Sequence, residues 1–203
     1  MKLDHIAITG ETLEAARDAV ETALGVALQK GGQHDVFGTH NALLGLADGL
    51  YLEAIAINPD APDPGRARWF DLDRFAGAPR LTNWICQTPD LVQTLDQLPF
   101  SAGDPVALTR GDLGWKMAVP DSGILPFDNL HPALIQWTAG AHPATRLAPS
   151  GCALRRLVIS HPEAQQLQQA LFDHLSDPRV VLETGEPNLL AEIETPHGLR
   201  HLS

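Results

Sequence analysis

The 203-residue sequence holds only two cysteines, Cys86 and Cys152, and they have no CxxC partner. That excludes a disulfide framework and a zinc knuckle, and the apolar neighbours of Cys86 mark it as a small buried hydrophobe. Lysine and arginine total 14 against 25 acidic residues, a net charge of −11 that repels phosphate backbones and anionic lipid alike. Nucleic acid and membrane surfaces are therefore not expected partners. No apolar run reaches the roughly 20 residues that cross a bilayer, and the first ten residues lack the shape of a signal peptide, so the cytoplasm is the expected location. There is no GxxxxGK[ST], no GxGxxG after the first strand and no GxSxG, which removes the commonest nucleotide and serine-hydrolase signatures.

What is present is a repeated order of elements. Leu3–Ile8 reads as a strand, residues 11–24 as an amphipathic helix stopped at Gly25, Val26–Gln29 as a short strand, and Gly31 onward as a glycine-opened loop. Asn41–Leu46 and Leu50–Ile57 then form a hairpin about an Asp48-Gly49 turn. This β-α-β-β-β pass recurs with strands at Leu81–Cys86, Val106–Arg110, Gly114–Val119 and Pro132–Trp137, and a helix opening at Thr88-Pro89-Asp90. A third pass has a strand at Ala153–Ile159, a helix at Pro162–Leu175 and short strands at Val180–Glu183, Leu189–Glu194 and Leu199–Leu202. The expectation is one α+β domain over residues 1–203 with submodules 1–57, 80–140 and 151–203. Residues 58–79 form a Pro- and Gly-rich connection with a short helix near Arg68–Phe75. Amphipathic helices cover one face of a curved, mixed or antiparallel sheet, and the other face forms a cup.

Glu53 is the one charged residue of a nearly apolar strand. Burial there is costly, so it needs a cation, a donor network or a cavity. His5 stands in a similar apolar strand. Side-chain alternation puts Tyr51, Glu53 and Ile55 in the cup if the small residues Ala54 and Ala56 pack on helices, and His5 and Ala7 follow by the same logic. Trp115 and Trp137 fit either core or cup wall. His40, beside Asn41 at a strand start, suits a proton acceptor at the rim, whereas His34 reads as a surface-loop residue.

The segments Leu3-Asp4-His5-Ile6-Ala7, Gly32-Gln33-His34, Gly38-Thr39-His40-Asn41, Tyr51-Leu52-Glu53-Ala54-Ile55-Ala56 and Pro132-Ala133-Leu134-Ile135-Gln136-Trp137 resemble the glyoxalase-like branch of the vicinal oxygen chelate superfamily. That resemblance implies a cup closed by two paired modules and ligands from the first and last strand of each. His5 and Glu53 match the family's His and Glu; Asn83 and Gln136 fall at the corresponding second-module positions, a departure from the pattern. It implies a divalent metal, with Mg, Mn, Fe, Zn and Ni not distinguished, on His5, Glu53 and Gln136, or no metal at all. Glu53, His5 and His40 become the expected catalytic residues, and Tyr51, Asn41, Asn83, Trp115, Gln136 and Trp137 the expected contacts to a small organic substrate. A lyase or isomerase is implied, with non-catalytic sequestration as the alternative and a homodimer pairing modules across chains compatible with the pattern.

Overall fold

The computed structural model describes Met1–Ser203. Its strands are β1 (Lys2–Thr9), β2 (Gln29–His34), β3 (Thr39–Leu46), β4 (Tyr51–Ile57), β5 (Arg80–Gln87), β6 (Asp104–Arg110), β7 (Leu113–Val119), β8 (Ala133–Ala139), β9 (Pro149–Ser160), β10 (Val180–Glu183), β11 (Asn188–Thr195) and β12 (Gly198–Leu202). The helices are α1 (Leu13–Leu24), α2 (Leu91–Gln97) and α3 (Ala164–Leu171). Capping explains the helix limits. Thr12 accepts from the Ala15 N–H, Asp90 accepts from the Gln93 N–H, and Gly25 ends α1 at φ 71 with its N–H on the Glu21 carbonyl.

The strands make one mixed sheet in the order β12-β11-β9-β3-β4-β1-β5-β8-β7-β6, with β2 added beside β3 and β10 beside β9. Two halves are related about the antiparallel β1–β5 pair. In each half the last strand returns parallel to the first, β4 on β1 and β8 on β5. The third pass keeps the element order but changes the pairing: β11 lies antiparallel to β9, and β10 lies parallel to it.

Alternation splits the core into two. Ile6, Ile8, Leu52, Ala54, Trp84 and Leu134 pack under the helices in the larger apolar cluster, which also takes in Leu154, Leu157, Ile193 and Leu202 from the third pass. Ala7, Ile55, Ile85, Trp115, Met117 and Ile135 form the second cluster on the concave face. The 58–79 connection caps that face: its 3-10 turn, Trp69–Arg74, buries Trp69, Phe70 and Leu72 against the cup.

Two local expectations are corrected. The second strand runs over Gln29–His34, not Val26–Gln29, because Gly31 and Gly32 sit inside it at a register shift instead of in a loop. Helix α3 is shorter than Pro162–Leu175, ending at Leu171 before irregular turns.

Candidate functional site

The geometry of β1 begins with a bulge. Register shifts between Leu3 and His5 where β1 faces β5, leaving Asp4 as the extra residue, so Asp4 and His5 turn their side chains toward each other. The Asp4 carboxylate accepts from His5 Nδ1 at 2.7 Å, Gln87 Nε2 at 2.7 Å, Trp137 Nε1 at 2.9 Å and His142 Nε2 at 3.0 Å. Burial works to raise its pKa, and the hydrogen bonds from His142 and His5 overcome this, holding Asp4 well below the usual carboxylate range. Asp4 is thus a fixed anion behind the cup wall, bonded to the lining residues His5 and Trp137.

Parallel pairing sets His5 opposite Tyr51 and Ala7 opposite Glu53. The His5 ring stacks on Tyr51 at 4.2 Å between centroids, and its Nε2 lies 3.6 Å from Glu53 Oε2. Burial disfavours the His5 cation, but Asp4 and then Glu53 outweigh it and raise its pKa. Glu53 responds in the opposite sense. Burial would raise its pKa, yet His5, His34 and Asn41 together lower it, so an ionised carboxylate sits 5% exposed in an apolar cup. Tyr51 is buried near two anions, which pushes its phenol far above the ordinary value and keeps it neutral.

A second line of contacts closes the other side. Asn41 Nδ2 donates to Glu53 Oε1 at 2.6 Å, while Asn41 Oδ1 accepts from the Gly32 N–H at 2.7 Å. The guanidinium of Arg110, at the tip of the β6–β7 hairpin, donates from Nη1 to His34 Nε2 at 3.1 Å. His34 Nδ1 faces Thr39 Oγ1 at 2.9 Å, and a neutral ring that donates there and accepts from Arg110 satisfies both contacts. Burial, with Arg110 also opposing the charge, pushes the His34 pKa down to about 4.

These residues, with Leu43, Trp69, Phe70, Trp115, Met117, Ile135 and Trp137, line a cavity whose free volume is about 30 Å³, room for about two waters. It therefore receives a small reacting group, with larger ligands requiring Trp69 or Arg110 to move.

Of the residues expected from the sequence, His5, Glu53, Tyr51, Asn41, Trp115 and Trp137 converge on this cavity. His40 does not: it pairs with Ala56 on β4, and its side chain takes the face opposite to Asn41. Gln136 also leaves the cup. It alternates with the cup residues Ile135 and Trp137, and its amide accepts from the Leu91 N–H and donates to the Pro89 carbonyl at the start of α2. Asn83 is fully buried outside the cavity, its amide turned to the Asn129 carbonyl and side chain. Four participants escaped the sequence reading. His34 was assigned to the surface but is 5% exposed and lines the cavity, while Asp4, Arg110 and Trp69 were not singled out.

The description "glyoxalase-like domain" matches residues 3–175. The chain belongs to the glyoxalase-like domain family. It is thereby a member of the vicinal oxygen chelate superfamily, and its paired β-α-β-β-β halves have that fold. No curated protein matches the sequence. Among solved structures, a hypothetical protein from Staphylococcus aureus superposes with a TM-score of 0.59 at 16% identity, over 98% of this chain and 83% of that one, which shows a shared fold. Methylmalonyl-CoA epimerase from Mycobacterium tuberculosis gives 0.44 at 19% identity, over 70% and 91% of the two chains. A Streptomyces coelicolor methylmalonyl-CoA epimerase in complex with 2-nitronate-propionyl-CoA gives 0.41 at 16% identity, over 66% and 95%. Superpositions that loose carry no argument about this chain's reaction.

The donor set of this glyoxalase-like chain does not fit the divalent ion that family resemblance implied. Of the expected ligands only His5 and Glu53 share a face; Gln136 is spent on α2, and no three His, Cys, Asp or Glu side chains are grouped to hold an ion. The register that sets Glu53 opposite Ala7 in the first half sets Ala133 opposite Ile85 in the second, so the second half offers no carboxylate in return. A guanidinium beside His34 further opposes a second cation there.

Proposed function

We propose that the cup binds a small carbon acid and that Glu53 moves a proton at the carbon next to its carbonyl, an isomerase-type reaction needing no group beyond the chain itself. The observation that supports this is the buried series Asp4–His5–Glu53, in which one imidazole lies between two ionised carboxylates. Glu53 Oε2 takes the proton, the C–H electron pair moves onto the carbonyl oxygen, and the enolate so formed accepts a hydrogen bond from the Nε2–H of protonated His5. Return of the proton from Glu53 to a neighbouring atom completes an isomerisation; return to the other face of the carbon, once the enolate has turned over in the cup, completes an epimerisation. Asp4 holds Nδ1–H and so fixes the ring's orientation and favours its charged form, and Asn41 fixes the other oxygen of Glu53. A lyase shares the first step but needs an acid for the leaving group. His5, the one protonated imidazole in the cup, is committed to the enolate oxygen, Tyr51 is too weak an acid and His34 stays neutral, which favours return of the proton.

Sequestration without turnover drew its support from Asn83 and Gln136 as neutral hydrogen-bonding groups in the cup, and neither lines it. The test is deuterium wash-in. Wild-type protein in D2O, offered small carbonyl compounds seen to bind by tryptophan fluorescence, should place deuterium at the carbon next to the carbonyl, and Glu53→Gln should slow this by roughly 10²–10⁴-fold. Binding with no exchange into any binder would leave the cup a sequestration site and end the proposal.

A further inference from the structure

Arg110 stands apart from the chain's other arginines because it is aimed into the cup yet meets no anion there. Arg17, Arg68, Arg74, Arg146, Arg156 and Arg179 each lie within ion-pair distance of a carboxylate, and Arg66, Arg80, Arg155 and Arg200, which do not, lie outside the cavity lining. Arg110 contacts only neutral acceptors, His34 Nε2 at 3.1 Å and Asn41 Oδ1 at 3.4 Å, both through Nη1. Its Nε and Nη2 make no hydrogen bond within the protein, so the planar edge that binds carboxylates in two-point fashion is free.

The position is also built. β6 ends at Arg110, and the Gly111-Asp112 turn, with Gly111 at φ 60, reverses the chain there. The side chain then crosses to β2, where Gly32 faces it: a Cβ on Gly32 would stand 2.5 Å from Arg110 Cδ. The second half thus hands one cation across the cup to the first, over a residue with no side chain to obstruct it.

We infer that Arg110 holds a carboxylate of the ligand, so that the cup selects small carbon acids bearing a carboxylate next to the reacting carbon. The inference deepens the reading of Glu53 as base and rests on it for the reaction, though not for binding. Asp4, His5, Glu53 and Arg110 sum to zero charge when His5 is protonated, so the empty cup has no net charge to repel a monoanion. A bound carboxylate then adds a negative charge near Glu53 and strengthens it as a base only when substrate is present.

Trp69, Trp115 and Trp137 line the cavity and report occupancy by fluorescence. Acetate, propionate and 2-oxopropanoate should give saturable changes; the matching amides and inorganic phosphate should bind at least roughly tenfold more weakly. Arg110→Gln should lose roughly tenfold or more for the acids while leaving the amides unchanged, Arg110→Lys should recover part of the loss, and Arg155→Gln, on the exposed side of β9, should change nothing. Equal binding of acid and amide, stronger binding of phosphate, unchanged acid binding in Arg110→Gln, or no saturable response to any carboxylate would each overturn the inference. The two proposals separate cleanly. Carboxylate binding through Arg110 with no deuterium exchange defeats the role given to Glu53 alone, and exchange that persists while the acids bind Arg110→Gln as tightly as the wild type defeats the carboxylate site alone.

Discussion

His5, Glu53, His34 and His131 tie the protein's stability to pH. The pKa of His5 is raised above 6.5 in the fold, so its contribution is complete below pH 6.5 and fades as pH climbs through the folded value. The pKa of Glu53 is lowered below 4.5, so its contribution is complete above pH 4.5 and fades as pH falls through the folded value. His34 and His131, both pushed down to about 4 by burial, remain neutral while their unfolded counterparts take up protons, so each subtracts stability as pH falls from 6.5 towards 4. The cost approaches about 3 kcal/mol per histidine at the acid end. Thermal melts across pH should therefore peak near pH 6.5, the ordinary imidazole value. His131 lies outside the cup, and neither of its ring nitrogens has a hydrogen-bond partner. Replacing it with Leu should leave the protein at least as stable at pH 7 and flatten the acid side of the profile, because an unpartnered buried polar group is removed and nothing is left behind unsatisfied. A profile for His131→Leu that tracks the wild type throughout would show that His131 contributes nothing to acid sensitivity.

At the scale of elements, the sequence was readable wherever local chemistry and alternation agreed. Thr12, Gly25 and Asp90 marked helix ends, and the clash between Glu53 and its apolar neighbours marked the functional strand. The second half was misread for a geometrical reason. Aligning Gln136 with Glu53 slips β8 by three residues from Ala133, and an odd slip exchanges the two faces of a strand, which turned a helix-capping amide into an apparent ligand. His40 was expected at the rim beside Asn41, but neighbours on a strand face opposite ways, and Asn41 takes the cup. Asp4 was hidden by a bulge, which breaks the alternation that would otherwise send it away from His5. Arg110 was hidden by distance, since only the folded sheet brings the β6 tip to β2. The Gly31-Gly32 pair was visible and read as a loop, but its purpose is room. A Cβ on Gly31 would come within 2.0 Å of Asn41 Oδ1, whereas one on Gly49 would touch nothing and bear only the strain of φ 74. Gly31→Ala should thus cost more stability than Gly49→Ala, whose penalty is about 1 kcal/mol, and should also loosen the Asn41 hold on Glu53. Urea melts of the two variants decide the order; a smaller loss at Gly31 would mean that Asn41 moves aside freely.

Across the whole molecule, the third pass shares the larger apolar core with the first two, although the family match ends at residue 175. Leu154, Leu157, Ile193 and Leu202 pack with Leu24, Leu44 and Leu52 in one cluster, and a Cβ on Gly25 would strike His197 in the β11–β12 turn. Ending the chain after Ala148 strips that cover from α1 and β3 and should cost several kcal/mol, measured by denaturant unfolding of the two lengths. Equal midpoints and slopes would make residues 149–203 an appendage.

The backbone seam between these parts is much narrower than the apolar one. Strand β9 meets β3 through only two residue pairs, Gly45 with Pro149 and Leu46 with Cys152, before Gly151 at φ 75 bends it away to its own partners. Under a mechanical load drawn from the carboxyl end, tension reaches β3 across that short ladder instead of along a full strand. The junction then acts as a fuse: the final 55 residues, 149–203, peel off like the end of a zip while β1, β3 and β4 still hold Glu53, Asn41 and His5 in place.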